Sequence, residues 1–218
     1  QSYIAIDKGP LTPSHSLVTP VYHYPSATSA SRSVLEDMQR LIDCLFDQNL
    51  RAGLGSVAFE RYMPMQNPSA MHTQIQVVGV PLDRAMNAFT YVNSSEHFYG
   101  SRVEPLPTDN PTSITCLEDR LDTLDRSYFY LQAVGRDIGG GSGFVHSHCL
   151  WTLGHGGGGR RIPITFGREL ILHLLPDSAS SYVPCNEGKV EMLCSSWRDT
   201  SLDWRNCVTS RDSESRLA

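Results

Sequence analysis

The sequence predicts an α+β fold in which a long helix packs on a largely antiparallel sheet. Three observations support this prediction. Apolar residues recur at three- and four-residue steps from Ser33 to Leu50, which is the period of an amphipathic helix. Segments on both sides of that helix alternate polar and apolar residues, as strands do. The first two of these segments are separated by Gly and Pro residues that favour a hairpin.

The first half of the chain is predicted to hold four strands and the long helix. A strand beginning "SYIAI" is followed by turns around Gly9 and Pro13, and a second strand runs from His15 to Val21. The helix comes next, and Ser33 with Glu36 fits a capping box at its start. The third and fourth strands are expected at residues 55–63 and 71–81.

The second half begins after a change of composition at "PLPTDNP", which predicts two domains, residues 1–108 and 109–218. The segment "SYFYLQAV" predicts a strand rich in aromatic residues, and "FVHSHCLWTL" predicts a strand between two Gly tracts. A helix is expected at "TFGRELILHLL" and a short one at "SLDWRNCV". We therefore expect a second α+β domain packed against the first.

Composition narrows the class of protein. With 40% hydrophobic residues, 19% charged residues and a net charge of -5, the chain is globular and lacks a broadly basic surface, so any RNA site must be local. No apolar run approaches the roughly 20 residues that span a bilayer, and no signal peptide precedes Gln1, so we expect a soluble, unsecreted fragment of a longer chain. Six cysteines without a regular spacing favour reduced thiols in a cytosolic or nuclear setting.

The segment "MHTQIQVVGVP" places three polar side chains on one face of the fourth strand. Residues at i, i+2 and i+4 of a strand share a face, so His72, Gln74 and Gln76 are expected to form a polar row. Thr73, Ile75 and Val77 are then expected to face the core. Two interpretations remain open: the solvated side of an antiparallel strand, or the wall of a ligand pocket.

Motifs spread over nearly the whole chain resemble the C-terminal region of the CwfJ family. They are "YIAIDKGPLTPSHSLVTPVYHYPS", "VAFERYM", "MHTQIQVVGVP", "YFYLQAV", "GFVH" and "RRIPITFGRELILHLL", with "WRNCVTSRDSESRLA" at the end. The resemblance implies a domain related to the histidine-triad (HIT) nucleotide-binding fold, followed by a companion domain. It also implies a nuclear, spliceosome-associated protein of late splicing. The expected partners are RNA, either intron lariat or snRNA, and spliceosomal or debranching-associated proteins.

The HIT resemblance also bears on the chemistry. HIT hydrolases and transferases read H-x-H-x-H or H-x-H-x-Q, and the middle histidine attacks phosphorus. Here the middle position is Gln74, whose amide nitrogen has no usable lone pair, so nucleotidyl transfer is not expected. An amide can still donate to a phosphate oxygen, so we expect a binding module without catalysis or cofactor. The candidate RNA- or nucleotide-binding residues are Lys8, His15, His72, Gln74, Gln76, Arg160, Arg161 and Arg168.

Two alternatives to a binding module stay open. One is a phosphodiesterase or nucleotide hydrolase in which His72 or His15 acts as general base, although His15 is equally explained as a turn histidine that ties its loop by hydrogen bonds. The other is a scaffold for protein partners whose polar strand has no ligand.

Three other features of the sequence are candidate sites. His146 and His148, next to Cys149, suggest a metal site, but the spacing is not a standard zinc pattern, and a half-buried pair of strand histidines is preferred. The run "HGGGGRR" is better explained as a hairpin tip than as a phosphate loop. The aromatic residues at 128–130 either stack on bases or pack in the core.

Overall fold

The computed structural model describes residues 1–64, 71–98, 101–104, 106, 114–118, 127–137, 143–153 and 162–176. The strands of this part are β1 Ser2–Ile6, β2 Ser16–Pro20, β3 Leu54–Tyr62, β4 Ile75–Pro81, β5 Arg102–Glu104, β6 Tyr128–Arg136 and β7 Phe144–Thr152. The α-helices are α1 Arg32–Arg51, α2 Asn87–Ser94 and α3 Phe166–Leu174. Short 3-10 turns occupy Ala27–Ser29, Glu96–Phe98 and Ile114–Leu117.

The strands form one sheet in the order β1-β2-β4-β3-β6-β7-β5, and every neighbouring pair is antiparallel. The predicted α+β class, an antiparallel sheet with a long helix, is confirmed. Strands from both halves of the chain share the sheet, because β3 pairs with β6 from Ser56↔Val134 to Tyr62↔Tyr128. The expected boundary at residues 108 and 109 lies outside the described residues, so the division into two domains stays a prediction.

Helix α1 covers one face of the sheet. Its inward side is mainly apolar, as the three- and four-residue period predicts, and its buried residues are Val34, Leu35, Met38, Gln39, Ile42, Leu45, Phe46 and Asn49. The predicted capping box is wrong: Ser31 is the N-cap, so Ser33 lies inside the first turn, and the Glu36 carboxylate instead accepts a hydrogen bond from Arg32. The helix ends before Gly53, whose φ of 76° suits glycine.

Helices α2 and α3 cover the opposite face of the sheet. Alternate residues of β3 therefore enter different cores: Ala58 packs on the α1 side, and Phe59 packs on the α3 side. The predicted helix in "TFGRELILHLL" is confirmed as α3, whereas α2 was not predicted. Gly167 lets α3 approach the sheet, because a Cβ atom there would overlap the Phe59 ring. This contact fixes the first turn of α3 above β3.

Several predicted features lie in the core or outside the described residues. The rings of Tyr128, Phe129 and Tyr130 are all 0% exposed, so the idea that they stack on bases is wrong. The short helix in "SLDWRNCV" and the Gly-rich "HGGGG" lie outside the described residues. In the described part, Cys44 and Cys149 are free thiols. None of the helices there combines the length and apolar character that crossing a bilayer requires.

Candidate functional site

The predicted alternation around β4 is present in the structure. Thr73 is 2% exposed, and Ile75 and Val77 are 0% exposed, whereas His72 and Gln74 are exposed and Gln76 is half-buried. The strand itself begins at Ile75, four residues later than predicted, so His72 and Gln74 lie in the segment that leads into it. The polar row of His72, Gln74 and Gln76 therefore starts in solvent and ends partly inside the protein.

The inner end of the row meets a buried imidazole. Gln76 Oε1 lies 3.2 Å from His15 Nε2, and the same nitrogen is 3.4 Å from the Asp7 carboxylate. On the other side of the ring, the backbone N–H of Leu11 donates to His15 Nδ1 at 3.2 Å. Because Nδ1 accepts that bond, the proton of the neutral ring sits on Nε2 and points to Gln76 and Asp7.

This environment determines what His15 can do. Its side chain is fully buried, and its Nδ1 lone pair is occupied by the Leu11 N–H. A general base needs a lone pair within reach of the proton it removes, and this ring offers none to a solvent-side substrate in the geometry described. The ring instead ties the loop between β1 and β2 to β4.

Arg168 joins the same loop from the far end of the chain. Its Nη2 donates to the Gly9 carbonyl at 2.8 Å, and its Nη1 lies 3.5 Å from the Asp7 carboxylate. Asp7 also accepts the Gly9 N–H at 2.8 Å. We call Asp7, Gly9, His15 and Arg168 the loop latch. It holds the segment on which Lys8 is exposed.

At the outer, exposed end of the row, His72 contacts the end of β2 and the ring of His23. His72 Nε2 lies 3.1 Å from the Pro20 carbonyl and therefore donates to it, and the His72 ring centroid is 5.1 Å from that of His23. His15 directly precedes β2 and Pro20 is its last residue, so the two lie about 17 Å apart at 3.3 to 3.4 Å per residue. The structure thus brings His15 together with Gln76 but does not bring it together with His72.

Arg61 is a further residue beside the row that the sequence did not single out. Phe59 of β3 pairs with Gln76, and Arg61 follows two residues later on the same face of β3. Its Nε donates to the Ile162 carbonyl at 2.9 Å, and burial lowers the pKa of its guanidinium. The available signal was the alternation of Val57, Phe59 and Arg61, which places a cation on an otherwise apolar face.

A buried carboxylate positions the segment that carries His72 and Gln74. Glu60 accepts hydrogen bonds from the Thr73 hydroxyl, from the Tyr128 hydroxyl at 2.5 Å and from the Ala27 N–H at 3.1 Å. Burial raises the pKa of the Glu60 carboxyl and raises that of Tyr128 well above its usual range. Because the Thr73 side chain is held by the buried Glu60, the adjacent side chains of His72 and Gln74 point outward.

The histidines considered as metal ligands have sheet neighbours as partners. The amide of Gln132 donates to His146 Nε2 at 2.8 Å, and burial lowers the pKa of that imidazole. His148 Nδ1 lies 3.3 Å from the Tyr130 hydroxyl. Within the described ranges, no three His, Cys, Asp or Glu side chains are arranged to hold a metal ion. Arg160 and Arg161 lie outside those ranges.

The chain is similar in sequence to one family model and to several known proteins. Residues 1–93 match the family model described as "Protein similar to CwfJ C-terminal". The chain is 26% identical over 221 residues to mouse CWF19-like protein 1, covering 99% of this chain and 32% of that protein. It is 25% identical over 224 residues to zinc finger CCCH domain-containing protein 64 of Arabidopsis thaliana, covering 99% and 30%. The chain therefore spans about a third of the length of these relatives.

A solved structure of yeast Ap4A phosphorylase in complex with AMP is also similar, with a TM-score of 0.41, 16% identity, and coverage of 89% of this chain and 68% of that one. The resemblance of this chain to the CwfJ C-terminal family is confirmed over residues 1–93.

Proposed function

We propose that this chain is a non-catalytic, HIT-like RNA-binding module of a nuclear, spliceosome-associated protein that acts in late pre-mRNA splicing and intron-lariat turnover. The family match of residues 1–93 and the CWF19-like relatives support the splicing context. One observation supports binding without catalysis: the exposed side chain at the middle position of the row is the amide of Gln74, where the resemblance to HIT enzymes implies the attacking histidine. An amide there donates hydrogen bonds but does not attack phosphorus.

The alternative in which His72 and His15 act together as a hydrolase fits the geometry less well. His15 precedes the start of β2, whereas His72 contacts the carbonyl of Pro20 at the other end of β2, and Pro20 lies about 17 Å from His15 along the strand. Acid and base at one phosphorus must both reach it within hydrogen-bond distance. With His15 engaged by Leu11 and Gln76, no second imidazole from the predicted set supports His72.

The ligand we propose is RNA, held mainly through its phosphates. The exposed amide of Gln74 and the half-buried amide of Gln76 donate to phosphate oxygens. The guanidinium groups of Arg61 and Arg168 and the ammonium of Lys8 supply positive charge. The net charge of -5 makes this a local site rather than a general affinity for nucleic acid. Binding is therefore expected to weaken steeply as salt is raised, because bound phosphates release counterions.

Fluorescence anisotropy at low salt tests this function. The probes are a labelled branched RNA and a linear RNA of the same length, and the proteins are the native chain, the double variant His72→Ala with Gln74→Ala, and the control His173→Ala. His173 is an exposed histidine on α3. We expect binding that falls in the double variant and persists in the control. Absence of binding, or equal binding by all three proteins, would refute an RNA site at the row.

A further inference from the structure

The outer end of the polar row carries a group of exposed rings. Tyr22 is 69% exposed, and the imidazoles of His23 and His72 are also exposed, with ring centroids 5.1 Å apart and planes inclined by 40°. We call Tyr22, His23 and His72 the ring patch. Neither Tyr22 nor His23 belongs to the residues expected from the sequence to bind RNA.

Hydrogen bonds to the main chain hold the ring patch in place. His72 donates to the Pro20 carbonyl at 3.1 Å, and the Thr73 N–H donates to the Tyr24 carbonyl at 2.7 Å. The Thr73 hydroxyl is in turn held by the buried Glu60. Two chain segments are thus clamped side by side, so the rings are displayed on a fixed base at little further cost in conformational entropy.

The chemistry of the patch favours a nucleobase over an apolar protein side chain. Bases stack on the faces of His and Tyr rings without regard to sequence, since every base has a π face. The patch also continues into the amides of Gln74 and Gln76, which suit phosphate oxygens and leave an apolar side chain unmatched. From His72 to Gln76 the row measures about 13 Å at 3.3 Å per residue.

We propose that the ring patch is a stacking site for a base of single-stranded RNA, with the adjoining phosphates along Gln74 and Gln76 toward the loop latch. This proposal rests on the RNA-binding function proposed above and specifies its substrate as unpaired RNA. A paired base is buried between its neighbours in a helix, so only an unstacked base presents a face to these rings.

The test compares two probes, a labelled oligoadenylate and an oligomer of the same length whose sugars carry no bases, by anisotropy at low salt. His23→Phe keeps an aromatic ring, His23→Lys replaces the ring with a flexible cationic side chain, and His173→Ala is the control. We expect His23→Lys to lower the affinity for oligoadenylate, relative to the affinity for the baseless oligomer, by roughly five-fold or more. His23→Phe and the control should bind both probes like the native chain.

Each other outcome has a distinct meaning. If the native chain binds neither probe, the RNA-binding function itself fails. If it binds both probes and His23→Lys changes neither, phosphate binding stands and the stacking proposal is overturned. If His23→Lys binds oligoadenylate as the native chain does while His23→Phe loses it, the patch acts through charge, which also overturns stacking. Thermal melting of each variant verifies that these surface substitutions leave the fold intact.

Discussion

Arg168, in the first turn of α3, donates a hydrogen bond to the carbonyl of Gly9 across 159 positions of sequence, at 2.8 Å. The bond joins the two halves of the chain at the candidate site, since Gly9 lies in the loop that carries Lys8 and ends at His15. Neither half therefore forms the site alone: the loop comes from the first half, and the group that holds it comes from the second.

Replacing Arg168 with alanine is expected to loosen the loop and weaken RNA binding several-fold. It removes a charge-assisted bond at a partly exposed position, so the free energy of unfolding should fall by about 1 kcal/mol. Urea unfolding and anisotropy measure the two effects. Arg51→Ala, an exposed arginine at the end of α1, is the control and should change neither quantity. Equal effects of the two substitutions would show that Arg168 acts only through general charge.

His15 is expected to matter for stability rather than for catalysis. His15→Ala leaves the Leu11 N–H and Gln76 without their ring partner in a fully buried position, at a cost of about 2 to 4 kcal/mol. His15→Asn keeps an acceptor near the place of Nδ1 and should recover part of that loss. Urea unfolding measures both. A stable His15→Ala chain with an altered rate of RNA cleavage would instead assign the ring to catalysis.

Glu60 predicts a dependence of stability on pH. Burial raises its pKa above that of an ordinary glutamate, about 4.3, so between that pH and the folded-state pKa the folded chain keeps a proton that the unfolded chain has released. The contribution of Glu60 to the free energy of unfolding therefore falls as pH rises through this window. Glu60→Gln removes this contribution, so the stability of the variant relative to the native chain should rise with pH.

Denaturant unfolding of the native chain and Glu60→Gln at a series of pH values from about 4 to about 8 checks this sign. Other carboxyls titrate in both proteins, so their contributions cancel in the difference. A difference that stays constant with pH, or that shifts in favour of the native chain as pH rises, contradicts a raised pKa at Glu60.

Gly167 is expected to tolerate no side chain. A Cβ atom there would overlap the Phe59 ring, so Gly167→Ala should push the first turn of α3 away from the sheet and lower the free energy of unfolding by about 1 to 3 kcal/mol. Gly143→Ala is a matched control, since a Cβ atom at Gly143 has nothing within 4 Å. Equal thermal melting of both variants and the native chain would contradict the close packing of α3 on β3.

The sequence predicted the elements whose periodicity is strong. The apolar steps of α1 and the alternation around Gln74 express which side of each element is buried, and local patterns report that directly. The start of β4 and the capping box were misplaced, because strand pairing and helix ends depend on neighbours that a single sequence does not display. The α2 helix was missed since its eight residues carry only a short periodic signal.

The candidate site was predictable in its residue types but not in its grouping. The motifs singled out His15, His72 and the two glutamines. Which of them meet depends on the register of β2 and β4, which fixes Leu17 opposite Gln76. The contact of Arg168 with Gly9 depends on the position at which α3 packs against the sheet. A contact between residues so distant in sequence leaves no local pattern to detect.

The polar row is expected to bind RNA and not to cut it. The most direct measurement follows one sample of labelled single-stranded RNA in two ways, by anisotropy for binding and by denaturing gel for integrity, with the native chain and with His72→Ala combined with Gln74→Ala. We predict that the native chain binds RNA that stays intact, and that the double variant loses the binding. Cleavage by the native chain that disappears in the double variant would contradict this expectation.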